Sequence, residues 1–218
     1  THGRSPTGAV PATSSTSVET EGASGKAIGS ASTMAVPAIG GGVLSQHSTD
    51  NALEWRMATL TPGTTSTATI KMRVSGEIAV GGSIKLALPS KDVYGVQSSF
   101  AFNSGSGTSV VAFTAPSNVL AAVSSTTGQE ITFTISGSNP IPQGTDVIFT
   151  VTHVRSPSGA VPATSSTSVE TKDASGKAID STSMMAVPAV VGGVLSQHSS
   201  AKALEWRMAT LTPGATST

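Results

Sequence analysis

The chain contains no cysteine, one tyrosine, two tryptophans and five phenylalanines, and only 11% of its 218 residues are charged. The missing cysteine excludes a disulfide framework, a thiolate zinc cluster and a thiol nucleophile. Twelve basic residues balance twelve acidic ones. Such a chain carries no electrostatic footprint for nucleic acid or for an anionic membrane surface. No run reaches the roughly 18 apolar residues of a membrane-spanning helix. The start shows neither an initiator methionine nor a basic stretch followed by an apolar one, so Thr1 is expected to be an interior position of something longer. The length still allows a real core, because a domain of ~150 residues buries close to 70% of its unfolded surface.

What the chain has in abundance is 35 Ser and 30 Thr, together with an internal repeat. Positions 1–67 match positions 152–218 at an offset of 151, with 54 of the 67 residues identical. GAVPATSSTSVET stands at 8–20 and 159–171, GGVLSQHS at 41–48 and 192–199, and ALEWRMATLTPG at 52–63 and 203–214. Such agreement implies duplication, and the period is far longer than a solenoid repeat, so each unit is expected to be a whole domain. The expected division is 1–38 as the end of a preceding unit, 39–189 as one complete unit and 190–218 as the start of the next. The substituted positions (Glu21-Gly22 against Lys172-Asp173, and Thr49-Asp50-Asn51 against Ser200-Ala201-Lys202) lie between apolar runs, where loops are expected.

Apolar residues recur with period two. Leu53, Trp55 and Met57 alternate with Glu54 and Arg56. Ile70, Met72 and Val74 alternate with Lys71 and Arg73, and Ile84, Leu86 and Leu88 follow the same rule. So do Ile131, Phe133 and Ile135, then Val147, Phe149 and Val151. Val110–Ala115 reads as a strand apolar on both faces. This is the pattern of half-buried strands. Turn signals at Gly81-Gly82, Pro89-Ser90, 104–107, Gly128 and Gly144 separate the runs. No stretch offers a helical face; the nearest, 118–123, is too short. The expectation is an all-β fold, an antiparallel sandwich or jelly roll, with eight to ten strands per unit and the units in tandem.

The candidate chemistry is sparse. Ala23-Ser24-Gly25-Lys26 lacks the glycine and the hydroxyl that a phosphate loop needs around its lysine, so a hairpin turn explains it better. His2, His47, His153 and His198 have no ligand partners at spacings both copies keep, so no metal is expected. No G-x-S-x-G elbow occurs, and Asp180 is Gly29 in the other copy, so no catalytic site and no cofactor are expected. Trp55 and Trp206 suit a sugar-stacking platform or, following their alternation, a core. Tyr94 follows a loop and offers thin support for a glycan site. No Asn carries an N-glycosylation sequon. The Ser/Thr clusters at 13–17 and 164–168 suit either the wet face of a strand or O-linked glycans.

The run 184–195 (MMAVPAVVGGVL) is apolar throughout. Met184, Met185, Val187, Pro188, Val190, Val191, Val194 and Leu195 are therefore the candidate assembly residues. They form either a buried linker between units or an arm added to a neighbour's sheet edge. The two incomplete units at the ends favour the arm, because each would otherwise expose bare strand edges.

GGSIKLALPS at 81–90 and DASGKAIDS at 173–181, within a Cys-free, Ser/Thr-rich repeat, resemble segments of tandem extracellular β-sandwich repeats (Ig-like or jelly-roll-like). Such repeats build the surface fibres of microbes, protists and algae. Ile28-Gly29 departs from the Ile-Asp pattern and weakens a calcium role for Asp180. The resemblance implies a structural subunit of an extracellular or cell-surface filament whose partners are identical subunits. An adhesin or carbohydrate-binding module is the rival reading, and an ice- or surface-binding role a more distant one.

Overall fold

The computed structural model describes residues 42–89, 99–103, 105 and 107–191, and the backbone of 13–21 and 27–36. Strands account for all regular structure among them: β1 Thr13–Glu21, β2 Ala27–Val36, β3 Gly42–Val43, β4 Glu54–Met57, β5 Thr65–Arg73 and β6 Ser83–Ala87. They continue with β7 Val111–Ala115, β8 Leu120–Thr127, β9 Glu130–Ser136, β10 Asp146–Arg155, β11 Thr164–Lys172 and β12 Ala178–Val187. The all-β expectation holds, and no described helix is long and apolar enough to cross a membrane.

The expected antiparallel architecture needs a correction. β3 to β12 form one ten-stranded mixed sheet in the order β7-β10-β5-β4-β12-β11-β6-β9-β8, with β3 beside β12. The sheet is nearly closed into a barrel, its two terminal strands β7 and β8 being consecutive in the chain. Most neighbours are antiparallel, but β12 runs parallel to both β3 and β4. The reason is topological. β3 and β4 come first in the sheet and β12 last, and no hairpin joins them.

The alternating residues are the core. Trp55, Met57, Ile70, Met72, Ile84, Leu86, Ile131, Phe133, Val147 and Phe149 all point inward and are buried. Phe133 on β9 meets Phe149 on β10 edge-on at 5.1 Å between ring centroids, joining the two halves of the sheet across the interior. Trp55 is fully buried and packs against Phe100 at 4.7 Å. The stacking-platform alternative for Trp55 therefore falls away. β10 carries an extra residue: its register with β5 shifts between Val151 and Val154, and His153 takes φ 54°. This bulge brings both Val151 and Val154 inward, which strict alternation would forbid. Gly82 is required before β6, since a Cβ there would lie 2.7 Å from the Lys172 carbonyl oxygen.

Two substitutions test this core. Trp55→Ala should destabilise by ~3–5 kcal/mol in denaturant unfolding, the range for a large aromatic removed from a packed interior. Thr167 is buried with a hydroxyl that has no hydrogen-bond partner. Thr167→Val keeps the branched shape and removes the unpaired group, so it should raise stability by ~1 kcal/mol.

Candidate functional site

The site is the place of the β11–β12 hairpin in the sheet, between β6 on one side and β3 and β4 on the other. Asp173 shapes the turn of the hairpin. Its Oδ1 accepts the N–H groups of Ser175 and Lys177, each at 2.9 Å. The Asp-Ala-Ser-Gly-Lys segment is thus a hairpin turn, as its sequence suggests, with Gly176 at φ 80°. Beyond the turn, Ala186 pairs with Glu54, and reciprocal bonds of 3.0 Å between Val161 and Val190 close the base.

One buried carboxylate fastens the hairpin to the rest of the sheet. Asp180 on β12 is 1% exposed. Its oxygens accept the Ser75 N–H at 3.0 Å, the Gly76 N–H at 3.3 Å and the Ser75 hydroxyl. Ser75 and Gly76 follow β5, so this contact ties the last strand to the segment leading into β6. It lies beside Gly42 of β3, where any Cβ would collide with Ser75 Oγ and Asp180 Oδ1. The residue at 42 must be glycine for the strand and the carboxylate to meet.

A second polar cluster holds the excursion between β3 and β4. Ser45 exchanges backbone bonds with Arg73 of β5. Ser48 donates its N–H, at 2.9 Å, and its hydroxyl to Asp146, which Arg73 also approaches at 3.3 Å. Asp50 pairs with Lys71, and its Oδ1 lies 3.2 Å from His47 Nδ1. Among the described residues no three His, Asp or Glu side chains converge as a metal site would require.

The candidate assembly residues fall into three groups. Met184, Met185 and Val187 belong to β12, a strand of the ten-stranded sheet. Met185, Val187 and Val190 are buried, whereas Met184 and Val191 are exposed, and Pro188 is half-buried. Val194 and Leu195 lie outside the described residues, as do Tyr94, Trp206 and the rest of 192–218. Met184 turns outward by the alternation of β12, and beyond it the register with β11 shifts by one: Thr167 pairs with Met185, but Val169 pairs with Thr182.

The β1–β2 hairpin repeats this arrangement in detail. Thr13↔Val36, Thr16↔Met34, Val18↔Ala31 and Thr20↔Gly29 correspond, at the offset of 151, to Thr164↔Val187, Thr167↔Met185, Val169↔Thr182 and Thr171↔Asp180. Every register shift recurs as well. Yet among the described residues β1–β2 forms a two-stranded sheet of its own. The buried hairpin residues of the second copy are Thr167, Val169, Thr171, Ile179, Asp180, Met185 and Val187. Six have the same residue in the first copy, namely Thr16, Val18, Thr20, Ile28, Met34 and Val36; only Asp180 differs, as Gly29. The sequence hinted at this site through that one Asp/Gly difference, but nothing in it pairs residue 180 with residue 75. No family model, curated protein or solved structure matches the chain.

Acid should weaken the second cluster. The Ser48 hydroxyl, then the Ser48 N–H and the neighbouring His47 and Arg73, hold the Asp146 carboxyl below its ordinary 3.8, against the opposing effect of burial. A depressed value in the folded state stabilises the fold above the unfolded value and loses that contribution as pH falls through the folded one. Stability measured by urea titration should therefore drop below about pH 4, and Asp146→Asn should flatten that drop while leaving the protein less stable at pH 7.

Proposed function

We propose that this chain is a structural subunit of an extracellular filament or cell-surface fibre. Jelly-roll-like repeat units stand in tandem, and copies join head to tail by pairing strand edges or by exchanging a hairpin. The observation that carries this reading is the spare hairpin. β1–β2 has the register of β11–β12 and six of its seven buried residues, but it lies outside the ten-stranded sheet. An isolated two-stranded sheet is marginal in water, and among the described residues no further strand pairs with its outer edges, the kind of edge that another chain can extend. A neutral, Ser/Thr-rich and Cys-free chain suits an extracellular setting, in which O-linked glycans on the Ser/Thr clusters would be tolerated at wet positions. With Trp55 in the core, no described aromatic residue favours the adhesin reading.

The test is to image the purified full chain by negative stain and to follow it by sedimentation velocity over a range of concentrations. Uniform fibres, or a concentration-dependent ladder of oligomers, are the expected result. A single monomeric species at the highest concentration, with no fibres, overturns the reading.

A further inference from the structure

The two hairpins raise a question of occupancy: which of them fills the place between β6 and β3–β4. The β1–β2 hairpin cannot fill it in its own body. There β2 would have to lie parallel to β3, as β12 does, with Gly29 beside Gly42. Parallel neighbours need a crossover of about a dozen residues or more, and only the five residues 37–41 separate Val36 from Gly42. The place open to β1–β2 is therefore the one in a second copy, where it competes with that copy's β11–β12.

Every difference at this site that contacts explain favours β11–β12. Asp180 makes the contact with Ser75 and Gly76, and Gly29 has no side chain to make it. Asp173 holds the turn through two bonds, and Gly22 stands in its place. Lys172 pairs with Glu170 at 3.1 Å, whereas the first copy has Glu at both corresponding positions, 21 and 19, two like charges in place of an ion pair. The residues buried against the body are otherwise kept, so β1–β2 retains the shape of the insert and lacks what fastens it.

We infer that Asp180 is the specificity-determining residue of assembly: it reserves the place between β6 and β3–β4 for β11–β12 and keeps a second copy's β1–β2 out. This rests on the fibre reading above and narrows it. Of the two ways of joining copies, the wild-type chain uses edge pairing, and hairpin exchange opens only when the Asp180 contact is lost.

The absence of cysteine makes the test clean. Ser168 faces Ala87 across β11 and β6, and Ser17 is its counterpart in β1. Full-length chains carrying Ala87→Cys with either Ser168→Cys or Ser17→Cys are oxidised and run on non-reducing gels. The 168/87 pair should close within one chain. The 17/87 pair should stay open in the wild-type background and link two chains in Asp180→Gly, with an increase of ~10-fold or more, the factor equivalent to one strong hydrogen bond. Gly29→Asp alone should raise the 17/87 link, and the exchange Gly29→Asp with Asp180→Gly should favour it over 168/87. If Asp180→Gly does not fold by circular dichroism, Gly29→Asp decides the matter, since it leaves the acceptor intact. Equal 17/87 linking in wild type and Asp180→Gly, or no response to Gly29→Asp, overturns the inference. Wild-type fibres with the 17/87 pair already linked overturn it while sparing the fibre reading. Absence of fibres, with linking that follows Asp180, does the reverse.

Discussion

The ten-stranded sheet depends on a pairing between its two ends in sequence. β12 must lie parallel to β3 and β4, more than a hundred residues before it, for the sheet to be continuous. Until it does, β4 lacks a neighbour on one side and β6 lacks one on the other. Trp55 and Met57 then sit on a strand held only by β5. Such a non-local pairing carries the full entropy of closing the chain, and parallel pairs are slightly weaker per residue than antiparallel ones. The Asp180 contact strengthens the weakest junction in the sheet, where β3 contributes two residues and β4 a single pair. Placing a buried carboxylate there is costly unless its oxygens are bonded, and Ser75 and Gly76 supply donors from the adjoining strand end.

Much of the local structure was legible. The inward residues of β5, β6, β9 and β10 follow period two because each strand has one face on the core, and a single residue of slippage would turn the whole face outward. The turn glycines were equally readable, because Gly81, Gly128 and Gly144 adopt positive φ. Three features were hidden. β3, at two residues, is too short to show any period. The bulge at His153 shifts Val154 into the core, where a strict alternation from Val151 would place residue 153. The parallel partners of β12 follow from topology, which no local pattern encodes.

The candidate site was legible in outline only. The apolar run at 184–195 singles out Met184 and Val187, yet alternate burial within a strand explains both Met185 inside and Met184 outside. The decisive residue was polar. In sequence Asp180 is a difference between the copies, in an Ile-Asp pattern that would suit a calcium ligand. Its partners are instead two N–H groups and a hydroxyl, all hydrogen-bond donors, which suit a carboxylate acceptor and offer a cation little.

A chain that repeats part of itself almost residue for residue faces a problem of degeneracy. Two hairpins with one register and a common set of buried residues fit one place, and near-identical neighbours invite exchange and misassembly. Changing many buried residues would break the degeneracy and damage the core in the same step. Changing the surface would leave it unbroken, because exposed substitutions shift stability little. The hairpins differ at one buried position, Asp180 against Gly29, and there the difference lies in a fastening contact rather than in packing volume. Glycine at 29 leaves shape and register intact, so the copy remains a hairpin of the same kind. A single buried polar residue can thus assign two interchangeable elements to different partners, much as one buried asparagine fixes register in a coiled coil at some expense of stability.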